Sequence, residues 1–481
     1  MTNHRELHDI SRGAAQCTVV PPFLLQRLAR SGDGPAATVA RDTLRLEHTL
    51  RVRREARSMR QPRSTGGPVP GREPAAGGEP QNERVDEPVE GPVEGPLEGR
   101  GDERGDARGG DARDGSGEPG PPGQGFVPDR LQRHPRLREH RRVEPPRGLA
   151  PGEPPQEAVA ATPDRAVHDA EHGTDLPGVL RRDEGAEPHA DESVNEAYDG
   201  LGQTWSLFHD AYGRNSLDDA GLKLVASVHF AKDYDNAFWD GEQMVFGDGD
   251  GEVFGSFTDC LDVIGHELAH GFTQYTAGFV YVGQSGALNE HVSDVFGVLT
   301  VQRVEGQTAD QADWLVGKDL FLPGVQGVAL RSMKAPGTAY DDPRLGKDPQ
   351  PAHMDDYEQL PHDEANDNGG VHINSGIPNH AFYLAATTLG GNAWEAPGQI
   401  WYDVMTTGGL PKDADFAAFA AATLAAAGAR YGEGSAEQEA VRAGWDGVGV
   451  VAAASPVHLT RPRPDARAAA RGPRRLPDAR R

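Results

Sequence analysis

Apolar and polar positions divide the chain into patterned and unpatterned stretches. From Val19 to Arg30 (VVPPFLLQRLAR) a Pro-Pro pair leads into Leu24, Leu25 and Leu28 at helical spacing, which predicts a short helix. Residues 36–58 continue as a second amphipathic helix that turns basic towards its end. Two such helices make a docking module with too little apolar area for an independent core. The pattern then disappears. Residues 61–160 hold 19 Gly and 18 Pro in 100 positions and one aromatic, Phe126, with neither a 2.0 nor a 3.6 period. Such a stretch cannot bury enough apolar surface to offset chain entropy, so 58–164 is expected to be a disordered linker. Periodicity returns near Arg165. Leu222–Phe230 reads as a strand, and the turn-rich Gly247–Gly251 follows Gln243–Phe246. After Ala269 the pattern is mainly helical, with Ala-rich helices over 379–389 and 413–431. Residues 451–481 read as a basic, disordered tail.

Charge and cysteine content narrow the function classes. No stretch approaches 18 consecutive apolar residues, which excludes a membrane-spanning helix. Cys17 and Cys260 are too few for a disulfide scaffold or a Cys-rich zinc module. Residues 166–450 carry 46 acidic and 14 basic side chains. A segment so acidic repels phosphate backbones, so no nucleic-acid partner is expected, and the charge reads as a solvated surface. MTNHRELHDISRGAAQ lacks the apolar run of an ordinary secretory signal.

The chemistry begins at His266-Glu267-Leu268-Ala269-His270. A helix places residues i and i+4 on one face, so both imidazoles can meet one zinc ion. Glu267 then lies beside the metal's open position, where it can take a proton from zinc-bound water. The motif alone is weak. A catalytic zinc needs a third protein ligand, and Glu290 supplies a carboxylate 20 residues after His270. Asp294, one helical turn beyond Glu290, is placed to accept the spare N–H of a zinc-bound histidine.

HELAHGFTQYTAG, GALNEHVSDVFG, DYDNAFWDGEQMVFGDGDG and NDNGGVHINSGIPNHAFYL stand in the order and spacing of the thermolysin family of zinc metallopeptidases, which this chain resembles from about Arg165 to Val450. PPFLL resembles the short propeptide of the protealysin-like branch. The resemblance implies an α+β fold with two lobes, β-rich (165–277) and helical (278–450), flanking a central zinc-binding helix. A propeptide (1–57) would precede the linker. It also implies a zinc endopeptidase, made as a propeptide-inhibited precursor, that acts on polypeptides through attack of zinc-bound water. One zinc would be held by His266, His270 and Glu290, with Glu267 as general base. His372, oriented by Asp367, and Tyr281 would donate to the oxyanion. Asn236 and Ala237 would hold the substrate chain, and Arg331 its carbonyl beyond the cut. Phe254, Phe257, Val263 and Leu330 would accept a bulky apolar side chain after the cut. A secreted monomer is expected.

Two departures and two alternatives complete the reading. At the family's double calcium site Asp262 and Asp313 remain, but Val301, Leu315 and Lys318 replace other ligands, and Val328 replaces a carboxylate at the last site. Calcium needs six to eight oxygens, so that set is not expected here. A Cys17 thiolate could occupy zinc's open position and keep the precursor latent; otherwise Cys17 and Cys260 are two unlinked buried thiols. A catalytically silent binding module would need a broken site, and an exopeptidase a feature closing one substrate end. Neither is seen in the sequence.

Overall fold

The structure, a computed structural model, describes residues 17–60 and 161–453, with side chains before the gap described through residue 53. Most of the expected linker and tail, and residues 1–16, lie outside the described residues. Those described belong to one compact unit.

A two-residue strand, β1 (Cys17–Thr18), opens the described chain. Pro22, whose φ suits a first helical turn, starts α1 (Pro22–Arg30) and is followed by α2 (Pro35–Arg60). The second helix thus runs past both the expected end of the propeptide at 57 and the expected start of the linker at 58. The sheet follows with β2 (Arg165–Asp169), β3 (Val179–Asp183), β4 (Leu224–Val228), β5 (Ala237–Trp239) and β6 (Met244–Phe246). Its order is β1-β5-β6-β4-β2-β3, so the N-terminal segment forms one edge of the sheet. Cys17 lies opposite Trp239 and Thr18 opposite Phe238, antiparallel.

Helix α3 (Glu192–Ser206), capped by the Asp191 carboxylate, packs on the sheet and on α4 (Leu261–Tyr275). Next comes α5 (Gly283–Glu305). Beyond it the helical lobe contains α6 (Asp367–Asn374), α7 (Gly376–Leu389), α8 (Ala396–Thr406), α9 (Phe416–Tyr431) and α10 (Ala436–Gly447). The two-lobed α+β architecture matches the expectation, with α4 central. At the C-terminal end the Ala453 amide bonds the Ala417 carbonyl, so the chain is still tied to the helical lobe three residues into the expected tail.

Two features of α4 and α5 position the site. Every residue of α4 from Asp262 to Thr273 is buried, so the helix has no solvent face, and its His and Glu side chains must find partners inside. The two helices also approach closely at glycines. A Cβ on Gly265 would sit 3.0 Å from the Gly297 Cα, and one on Gly297 would sit 2.5 Å from the Asp262 carbonyl oxygen. That approach brings Glu290 and Asp294 of α5 to the histidines of α4.

The apolar core joins both parts of the chain. Val19, Val20, Leu24, Leu25 and Leu28 share one buried cluster with Phe254, Phe257, Val263, Leu268 and Leu288. The docking module therefore completes its core with the catalytic unit. Gly297→Ala is expected to push α4 and α5 apart and lower stability by about 1–3 kcal/mol, measured by denaturant unfolding of the full chain.

Candidate active site

Three buried ligand atoms converge between α4 and α5. His266 Nε2 lies 3.0 Å from His270 Nε2 and 3.4 Å from Glu290 Oε2, and His270 Nε2 lies 3.6 Å from Glu290 Oε1. A tetrahedral centre with arms of about 2.0–2.2 Å has edges of about 3.3–3.6 Å; both His–Glu290 separations fall in that range, and the His–His separation is shorter. The other ring nitrogens are engaged. His266 Nδ1 donates to Asp294 Oδ1 at 2.8 Å, and His270 Nδ1 faces Asn289 Oδ1 at 2.9 Å and Ser293 Oγ at 3.0 Å. With the protons held on Nδ1, both Nε2 lone pairs point at the metal position. Glu290 Oε2 is buried and makes no hydrogen bond, as an acceptor awaiting a cation would be. The donor set suits zinc.

The second layer is as buried as the first. Asp294, with no exposed surface, takes two hydrogen bonds from Arg331, at 3.0 and 2.9 Å, and one from Asn379 Nδ2 at 2.8 Å. Burial would raise its pKa, but the Arg331 charge and His266 hold it well below the ordinary carboxylate range. Glu267 beside it is different. Neither of its oxygens has a hydrogen-bond partner, and burial pushes its carboxyl up to about 8 against the pull of His266. Environment thus separates an obligate anion from a carboxyl that takes up a proton readily.

His372 stands across the metal position. Asp367 Oδ1 accepts from its Nδ1 at 2.6 Å, while Asp367 Oδ2 accepts from its amide at 2.9 Å. That double hold needs Asp367 and Asn368 in the left-handed region, at φ 54° and 49°, before the chain enters the helical turn of His372. Burial opposes the charged ring, yet Asp367 and Glu290 raise its pKa to about 9. The Tyr281 hydroxyl donates to Glu290 Oε1 and lies 3.3 Å from His372 Nε2.

The N-terminal segment lies on these groups. Thr18 O accepts from His372 Nε2 at 2.9 Å, and Val19 O accepts from Arg331 Nη1 at 3.0 Å. The Val19 amide donates to Ala237 O at 3.1 Å. Asn236 grips Val20 twice, accepting from its amide at 2.9 Å and donating to its carbonyl at 3.1 Å. Glu47 of α2 accepts from Asn236 Nδ2 at 2.7 Å. A cavity of ≈ 30 Å³ remains between Glu47, Arg51, Tyr281 and His372.

The structure thus gathers His266, Glu267, His270, Glu290, Asp294, Tyr281, Asp367, His372, Asn236, Ala237 and Arg331 in one place. Phe254, Phe257, Val263 and Leu330 are buried in the cluster that holds Val19 and Val20. Sequence reasoning missed Asn289, Ser293, Asn379 and Glu47. The first two lie within the quoted GALNEHVSDVFG block and Asn379 within NSGIPNHAFYL; their residue types alone carried no signal. Cys260 caps the start of α4 without a side-chain bond and is not grouped with the ligands, whereas Cys17 is.

The same residues carry a relationship to known proteins. The thermolysin metallopeptidase catalytic domain pattern matches residues 162–274, and its alpha-helical domain pattern matches 277–450. An extracellular metalloprotease of Pectobacterium carotovorum subsp. carotovorum is 52% identical over 298 residues, 62% of this chain and 84% of its own. The chain belongs to the thermolysin family. Protease PrtS of Photorhabdus sp. (strain Az29) is 53% identical over 268 residues, 56% of this chain and 72% of its own. Among solved structures, the protealysin precursor of Serratia proteamaculans superposes with a TM-score of 0.59 at 55% identity, covering 61% of this chain and 89% of that one. These relatives place this thermolysin-family protein in the protealysin-like branch as a zinc metalloendopeptidase. No described helix is long and apolar enough to cross a membrane.

Asp294→Ala removes the acceptor of His266 Nδ1 and leaves Arg331 without its carboxylate. Zinc affinity is expected to fall about 10–100-fold, as for other lost partners of metal-bound histidines. Competition with a chromophoric chelator would measure it.

Proposed function

We propose that this zinc endopeptidase is made as a latent precursor whose N-terminal segment occupies the substrate cleft. The observation that carries the reading is the backbone of Thr18–Val20, which takes the hydrogen bonds of His372, Arg331, Ala237 and Asn236. Those donors and acceptors are the ones a bound polypeptide needs. A substrate would add as a strand beside β5 in place of β1, and both cannot be there at once.

With the segment gone, each side chain has a role. His266, His270 and Glu290 would hold the zinc ion, which would supply Lewis-acid polarisation of the scissile carbonyl and a more acidic water. Glu267 takes the proton of the attacking water and passes it to the leaving amine, a transfer eased by a carboxyl already raised by burial. His372, kept cationic by Asp367, and Tyr281 donate to the oxyanion, stabilising charge that exists only in the transition state. Phe254, Phe257, Val263 and Leu330 favour a bulky apolar residue after the cut. Calcium is not assigned to the double site, because Lys318 already pairs with Asp313 at 2.7 Å. Secretion is proposed from relatives named as extracellular proteases, and maturation by cleavage in the linker.

Cleavage of casein by the matured chain should be abolished both by Glu267→Ala and by a zinc chelator. An active Glu267→Ala enzyme would overturn the mechanism, and an inert matured wild type would favour the silent binding module.

Latency should also respond to pH. Burial raises Glu47 from 4.5 to about 7, against the pull of Asn236, Tyr234, Arg51 and His372. Because the pKa is raised in the docked state, the bound proton stabilises docking. This contribution is fully present below about pH 4.5 and is lost as pH rises to about 7. Hydrogen exchange of α2 should therefore quicken over that window, and Glu47→Gln should flatten the dependence.

A further inference from the structure

Among the described residues, Cys17 is the one thiol grouped with the zinc-ligand atoms. Its Sγ, a ligand nitrogen of His270 and an oxygen of Glu290 lie within 4.8 Å of one another, and all three residues are buried. Cys260, the other thiol, is in no such group. The backbone around Cys17 is held closely. β1 pairs with β5, Thr18 O is bound by His372, and Val19 O is bound by Arg331. Cys17 shares a small buried cluster with Tyr281 and Val371.

Three protein ligands leave a catalytic zinc with one position for water. Glu290 Oε2 supplies the second observation that points to a cation here, since it is buried without a hydrogen bond. Two neutral imidazoles and one carboxylate leave a Zn²⁺ centre with a net charge of about +1. In a site with no exposed ligand that charge is costly, and a thiolate cancels it. Zinc also accepts thiolate readily, at about 2.3 Å against about 2.0–2.1 Å for imidazole nitrogen. A ligand edge of about 3.6 Å lies within the distance that separates these three atoms at most.

We propose that Cys17 is the fourth zinc ligand of the precursor, so that the catalytic position is capped by sulfur while the backbone fills the cleft. The proposal rests on the latent-precursor reading and deepens it. As the segment docks, the thiol gives its proton to solvent, a Zn–S bond forms and the bound water leaves. As it departs, the Zn–S bond breaks, water returns to the metal and the thiolate takes up a proton. No electrons are exchanged. Latency then has two locks, a strand in the cleft and a ligand on the metal.

The test is zinc K-edge X-ray absorption of the full, uncleaved chain, its intactness verified by mass. Wild type and Cys260→Ser should each show one sulfur scatterer at about 2.3 Å, and Cys17→Ser and Cys17→Ala should lose it. A wild-type spectrum with bound zinc and only nitrogen and oxygen neighbours would overturn the sulfur ligand while leaving the zinc enzyme standing. A purified chain that holds no zinc, even after incubation with it, would overturn both. The wild-type spectrum decides the question even if a Cys17 variant fails to fold. As an independent readout, zinc should pass to a chelator at least tenfold faster from folded Cys17→Ser precursor than from wild type. Equal rates would count against the Zn–S bond.

Discussion

Asp294 carries its charge with no exposed surface, and the parts of the site depend on that charge in different ways. It orients His266 for the metal, anchors the guanidinium of Arg331 and holds Asn379 of the helical lobe. An unpaired carboxylate at this depth would be strongly destabilising; paired with Arg331 and hydrogen-bonded on both oxygens, it becomes a fixed point. Because Arg331 is held at one side by Asp294, its remaining Nη1 is free to aim at a carbonyl in the cleft, where it meets Val19. Metal geometry and peptide binding are thus set by one anion.

The same economy explains how a short segment can fill the cleft. A peptide chain offers any cleft of this kind the same groups, amides and carbonyls at strand spacing. Thr18, Val19 and Val20 present those groups, and the apolar face of α1 buries itself beside them. Affinity comes from apolar burial and from backbone hydrogen bonds that any substrate would make. Tethering to the catalytic unit makes the competition intramolecular, which raises the effective concentration of the segment far above that of a free peptide. Sulfur on the metal would add a bond that substrates do not offer.

Much of the site was legible along the chain. The zinc histidines and Glu267 follow from one helical repeat, and Asp294 follows from Glu290 by one turn; such spacings are local geometry and survive in any context that keeps the helix. The strand at 224–228, the Ala-rich helix at 416–431 and the helix after Pro22 were likewise carried by local pattern and proline. The resemblance to the thermolysin family supplied His372, Tyr281 and Arg331, whose residue types alone pointed nowhere.

Other features depended on which surfaces meet. Asn236 and Val20 are 216 residues apart, and Arg331 and Val19 are 312 apart. No period connects such pairs. Glu47, which carried no signal within the predicted helix over 36–58, is a buried carboxyl against Asn236. Asn379 read as a helix residue and proved to support Asp294, because α7 packs on α5. The sequence by itself determined the zinc ligands, the catalytic base and the division into patterned and unpatterned segments, since these rest on helical spacing and on apolar content. Only the tertiary structure decided that β1 completes the sheet, that Arg331 serves Asp294 as well as the cleft, and that Cys17 rather than Cys260 lies beside His270 and Glu290, since these rest on the close approach of elements distant in the chain.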